Sequence, residues 1–124
     1  MTAASTRLGM RAEAAARGHL QAQGYNVVGA NYRCRWGELD IIAWQGATLV
    51  FVEVRGRRSL KYGTPEESLS KRKQARLVAA AESYMQECSE PPAHWRIDLV
   101  SVRLDLQGRV ETIGHLESAV EIES

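Results

Sequence analysis

The stretch GELDIIAWQGATLVFVEVRGRR, Gly37 to Arg58, constrains the fold more than any other part of the chain. Two runs, Gly37–Trp44 and Thr48–Arg55, are mostly apolar and β-branched and flank Gln45-Gly46-Ala47. That is the pattern of a β-hairpin with a short, glycine-containing loop. Side chains alternate between the faces of a strand. A loop with an even number of residues therefore puts Glu38, Asp40, Ile42, Phe51, Glu53 and Arg55 on one side. Leu39, Ile41, Ala43, Val50, Val52 and Val54 then face the other way. An odd loop would separate the acids of the two strands. Two-residue loops built on glycine are common, so the even register is expected. Strands apolar on both faces are normally covered on both, which places the acids at the partly buried end of a central hairpin.

Carboxylates in such a place need something to neutralise them. Two like charges sharing a site raise one pKa or require a cation. Residue by residue, two readings stand side by side: Asp40 and Glu53 hold a hard divalent metal such as Mg²⁺, or they form structural ion pairs with Arg55, Arg57 or another basic side chain.

Asp40 followed by Glu53-Val54-Arg55 at the end of the next strand resembles the core of PD-(D/E)xK nucleases. GELDIIA, LVFVEVRGR and YGTPEESLSKRK together resemble the YraN-like bacterial family more closely, over about Gly9 to Val102. The resemblance implies the restriction-endonuclease-like fold, with a central mixed β-sheet flanked by helices, and a similarity to Holliday junction resolvases. It implies Asp40, Glu53 and the Val54 backbone carbonyl as ligands of Mg²⁺ or Mn²⁺. Glu13 matches the glutamate that approaches the metal from the first helix in such proteins. The residue two after the glutamate is normally lysine; here it is Arg55. Arginine offers a planar charged fork to a phosphate but does not act as a general base. Two functions of different classes follow from this departure. One is a metal-dependent nuclease on structured DNA with Glu13, Asp40, Glu53 and Arg55 as catalytic residues. The other is a nucleic-acid- or partner-binding module with a vestigial site.

A chain of 124 residues is read as one domain, with residues 1–5 and 117–124 frayed. No apolar run approaches a membrane span, and the N-terminus lacks the apolar core of a signal peptide. Cys34 and Cys88 have no metal-ligand spacing and read as free thiols in a reducing cytoplasm. His19, His94 and His115 are scattered and read as surface or packing residues. The net charge of +1 hides an asymmetry: Arg55 to Arg76 holds eight basic residues against two acids, and Asp105 to the end holds five acids against Arg109. A polyanion partner, DNA by the resemblance, is therefore compatible with a near-neutral total. Arg33, Arg57, Arg58, Lys61 and Lys71 are the candidate phosphate contacts.

Ser5 or Thr6 is expected to cap a helix reaching about Gln23, with Gly24 as its C′ residue. Tyr25 to Ala30 reads as a strand and Asn31 to Arg35 as a connection. After the hairpin, Gly56 to Gly63 reads as a basic loop. Thr64 and Ser70 are candidate caps for a helix continuing to about Glu87. Lys71, Arg72 and Lys73 fall in its first turn, where the helix dipole disfavours cations and a nearby phosphate would offset the cost. Trp95 to Arg103 and Arg109 to Ile113 read as strands around a Gln107-Gly108 turn. Tyr32, Trp36 and Trp95 are assigned to the core, which leaves a monomer or weak homodimer as the expected state.

Overall fold

The computed structural model describes residues 3–58 and 69–122. Lys61, the Thr64 cap and most of the basic loop lie outside them. The elements follow in the expected order: α1 (Ala3–Ala22), β1 (Asn26–Cys34), β2 (Gly37–Gln45), β3 (Thr48–Arg58), α2 (Lys71–Gln86), β4 (His94–Leu104) and β5 (Val110–Leu116). The strands form one sheet in the order β1-β2-β3-β4-β5. Every pairing is antiparallel except β3 with β4. That parallel step needs a crossover, and α2 lies within it. The result is a mixed α/β sheet with a helix on each face, compatible with the restriction-endonuclease-like fold.

β3 is the axis of this arrangement. Leu49 to Val52 are at most 1% exposed, because side chains from both faces of the strand are covered. Val50 and Val52 pack beneath α1 with Ile41, Ala43, Ala12, Ala16 and Leu20. Leu49 and Phe51 pack beneath α2 with Ile42, Leu77, Ala80 and Ala81. The hairpin turn holds two residues, Gly46 and Ala47, between the pair Gln45↔Thr48. Gly46 sits at φ 59°, the left-handed region that suits glycine. The even register is therefore the observed one.

Gly56 sets how closely α1 approaches the sheet. A Cβ there would lie 2.6 Å from the Ala12 Cβ, so any side chain at 56 would push the helix off β3. This contact holds Glu13, the next residue of α1, near the ends of β2 and β3.

Several boundaries differ from the sequence expectation. α1 begins at Ala3, ahead of Ser5 and Thr6. The segment read as a connection is mostly strand: β1 stays paired with β2 to Cys34↔Gly37, leaving Arg35-Trp36 as the turn. Trp36 is 47% exposed and so is not a core residue, whereas Tyr32 and Trp95 pack on the α2 side as expected. Of the two candidate caps, Ser70 is described and serves: its Oγ accepts from Lys73 N at 3.1 Å. After β5 the described residues pack on the sheet. Ala119 N donates to Ile97 O at 2.8 Å, and Val120 is buried. Cys34 and Cys88 are free thiols. Among the described residues, no helix is long and apolar enough to cross a membrane.

Candidate active site

The β2–β3 ladder ends at Ile41↔Val52. Just beyond it the two strands carry Asp40 and Glu53, and the ladder's next backbone donor turns to a side chain: Val54 N–H donates to Asp40 Oδ2 at 2.8 Å. β2 does not alternate regularly here. Leu39 packs with Ile42 on the α2 side, while Ile41 packs on the α1 side. Residues two apart thus face opposite ways, so the strand kinks at Asp40 while its register with β1 is kept from Ala30↔Ile41 to Tyr32↔Leu39. This corrects the expectation that Leu39 and Ile41 share a face, and that Asp40 simply shares one with Ile42 and Phe51. The neighbouring strand kinks at the matching place, where Asn31 adopts φ 53° between the pairs Ala30↔Ile41 and Tyr32↔Leu39. Asparagine tolerates that conformation better than most residues. Such irregularities re-aim side chains at strand ends. Here the kink turns Asp40 toward α1.

Asp40 accordingly lines a cavity of about 390 Å³ between α1 and the strand ends, together with Ala12, Glu13, Asn31, Arg33, Glu38, Val54 and Gly56. Glu53 comes from β3 at 7% exposure and lies within hydrogen-bonding reach of Asp40. Burial, and next the Glu53 charge, push the Asp40 pKa from 3.8 up to about 7, although the Val54 N–H bond pulls the other way. Glu13 Oε2 accepts a long bond from Asn31 Nδ2 at 3.4 Å. Its other oxygen, Oε1, is buried with no hydrogen-bond partner. Three carboxylates therefore crowd one end of the sheet with too few donors. Among the described residues, no three His, Cys, Asp or Glu side chains converge on a single metal position.

The basic residues distribute unevenly around these acids. Arg55 is half-buried, paired with Ser101 of β4 in the ladder, and shares the Glu53 side of β3 by strand alternation. Arg33 is exposed, lines the carboxylate cavity and pairs with Glu38 at 3.5 Å. Arg57 is half-buried further along β3. Arg58 is exposed in a separate recess with Arg7 and Arg11, beside the β4–β5 turn. Lys71 is exposed at the start of α2.

Lys73 was absent from the residues proposed for the site. Its Nζ lies 3.3 Å from Glu53 Oε2. Its signal was present in the sequence as the cation-rich first turn of a Ser-capped helix, an arrangement the dipole disfavours. The carboxylate of Glu53 supplies the offset. Asn31 left no such signal.

The chain resembles other proteins along nearly its whole length. It is 39% identical over 119 residues to a UPF0102 protein of Pelotomaculum thermopropionicum, covering 96% of this chain and 99% of that one. It is 42% identical over 119 residues to a UPF0102 protein of Moorella thermoacetica, with the same coverage. A UPF0102 protein of Desulforamulus reducens is 41% identical over 115 residues, 91% of this chain and 94% of the relative. The model of this family matches residues 12–102, a span that holds Glu13, Asp40, Glu53, Arg55 and Lys73. The chain thus belongs to the uncharacterised protein family UPF0102, in keeping with the YraN-like motif of its hairpin.

Proposed function

We propose that this protein is a metal-dependent nuclease acting on structured DNA, with the carboxylates of Asp40 and Glu53 as its catalytic centre. The observation that carries the reading is the placement of Asp40 beside the buried Glu53 at the ends of β2 and β3, where burial and the Glu53 charge push the Asp40 pKa up to about 7. At neutral pH such a pair is stable only with a shared proton or a cation. Hard oxygen donors of this kind suit Mg²⁺ or Mn²⁺, and the unpartnered Glu13 Oε1 offers a further acceptor on the same cavity. Asp40, Glu53 and the Val54 carbonyl are the ligands in this proposal. The bound ion would activate water and stabilise charge on the phosphate.

The chain's own groups then divide the remaining work. Arg55 supplies fixed positive charge to the phosphate as negative charge grows on it. Lys73 compensates Glu53 and, unlike Arg55, carries a proton it can exchange. Glu13 holds the α1 wall of the cavity and accepts a hydrogen bond from a water there. Arg33, which lines the same cavity as Asp40 and Glu13, is the phosphate contact in this proposal.

One observation favours a second reading, a DNA-binding module that no longer cuts. Lys73 occupies the Glu53 oxygen that a metal would use, and the usual lysine position holds Arg55. A cleavage assay on linear, flap and four-way DNA with Mg²⁺ or Mn²⁺ separates the two. The nuclease cuts at least one substrate, Asp40→Ala abolishes the cut, Arg55→Lys keeps it, and Arg55→Ala slows it roughly 10²- to 10³-fold. Cleavage by Asp40→Ala at the wild-type rate would rule out this hairpin as the catalytic centre. Binding without cleavage by any of the four proteins would favour the second reading.

A further inference from the structure

Two of the three tryptophans, Trp44 and Trp95, pack against the α2-side cluster. Trp36 is 47% exposed. It stands on the two-residue turn that closes β1 onto β2, with the Arg35 guanidinium 4.8 Å from its ring centroid. Single exposed apolar side chains are common on protein surfaces; the position of this one is what distinguishes it. Residues flanking the turn line two recesses that share Arg33 and Glu38. One is the carboxylate cavity. The other, about 460 Å³, is lined by Arg33, Gly37, Glu38, Lys73 and Arg76 among others. Gly37 draws the turn against α2, so that a Cβ there would lie 3.7 Å from the Arg76 Cβ. Glu38, the one acid lining the second recess, is paired with Arg33 at 3.5 Å, and Lys73 with Glu53 at 3.3 Å, so Arg76 sets the sign of its far wall.

An exposed indole beside a cation-lined groove is the combination that holds unpaired nucleotides. Phosphates follow the cations, and a base stacks on the aromatic ring. A base inside an intact duplex has no free face to offer. The Arg35 guanidinium lies over the indole ring, and the exposed part of the ring is the surface a base would stack on. We infer that Trp36 is a stacking platform for an unpaired base, and that the substrate carries a single-stranded stretch next to the phosphate placed at Asp40 and Glu53. The inference rests on the nucleic-acid reading above and names its substrate class: tailed, gapped or branched nucleic acid in preference to continuous duplex. The backbone of the unpaired segment runs along Arg33, Lys73 and Arg76.

The test measures binding in EDTA, so that no cleavage is required. Fluorescence anisotropy compares a blunt DNA duplex with the same duplex carrying a single-stranded tail, for wild type, Trp36→Ala and Trp36→Phe. Wild type should bind the tailed DNA more tightly. Trp36→Ala should weaken the tailed complex about 5- to 150-fold, the range for loss of one aromatic–base stack, and change the blunt complex less than about twofold. Trp36→Phe should keep most of the tail preference. Equal losses on both DNAs, an unaffected tail preference in Trp36→Ala, or no binding to either DNA would overturn the inference. The nuclease reading stands or falls separately, on metal-dependent cleavage and its loss in Asp40→Ala.

Discussion

The sheet carries wholly or partly buried carboxylates at two places, and they are resolved in opposite ways. Asp98 of β4 is 0% exposed. Its Oδ1 accepts from Arg96 Nε at 2.9 Å and from Ser118 N at 2.9 Å. Its Oδ2 lies 3.2 Å from Arg96 Nη2 and 2.9 Å from His115 Nε2. Arg96 is held in turn by the Tyr25 hydroxyl at 2.9 Å, and His115 Nδ1 meets His19 Nε2 at 3.4 Å. Every acceptor position of this carboxylate is used. Asp40, by contrast, faces a second acid within hydrogen-bonding reach, and the Val54 amide is the backbone donor that opposes its raised pKa. Glu13 beside it keeps a buried oxygen with no partner. Satisfied burial makes a structural joint; burial short of donors makes a place for a cation.

The largest expected effect comes from breaking the satisfied group. Asp98→Ala leaves Arg96 and the Ser118 N–H without their acceptor in a closed site. It should destabilise the protein by about 3–5 kcal/mol, visible as a fall in Tm of more than about 10 °C. A loss below about 1 kcal/mol would mean that Asp98 is not the joint described here.

The second effect has the opposite sign. In the folded chain Asp40 keeps its proton up to about pH 7, against 3.8 for the ordinary group. The folded state therefore binds the extra proton between these limits. Without divalent ions, wild-type stability should decline as pH rises through that window, by at most about 4 kcal/mol. Asp40→Asn stays neutral and should lack the decline, so it should exceed wild type in Tm at about pH 8 and lose that advantage at about pH 4. Parallel pH profiles for the two proteins would show that burial and Glu53 do not hold that proton on Asp40.

The two groups were not equally legible in the sequence. The hairpin announced itself through Gly46 and two unbroken apolar runs. Strand alternation then brought Asp40 and Glu53 to the same end, because those signals are local. The kink at Asp40 leaves no local trace. Alternation arguments assume a regular pleat, and the irregularity at Asn31 and Asp40 depends on how β1 and β2 settle beneath α1. The expected end of β1 at Ala30 falls short of the observed one at Cys34 for a related reason. Asn31-Tyr32-Arg33-Cys34-Arg35 is polar, but it lies at an edge where solvent reaches one side. Lys73 was noticed as a cation in an unfavourable first turn, yet its partner lies twenty residues back on β3, beyond any helix rule. The Asp98 group leaves no local signal, since its members come from α1, the α1–β1 connection, β4, β5 and the chain just after β5, and meet only in the folded sheet. His19 and His115, read as scattered, lie side by side for that reason.

The central claim is that Asp40 and Glu53 form a cation site, and titration calorimetry with Mn²⁺ at about pH 8 tests it most directly, because Asp40 is then ionised in the folded chain. Wild type should bind one or two ions weakly, with affinity falling as pH drops below about 7 and Asp40 takes up its proton. The Asp40→Ala/Glu53→Ala double variant should show no binding. Mn²⁺ binding that persists unchanged in the double variant, or no binding by wild type, would contradict the claim.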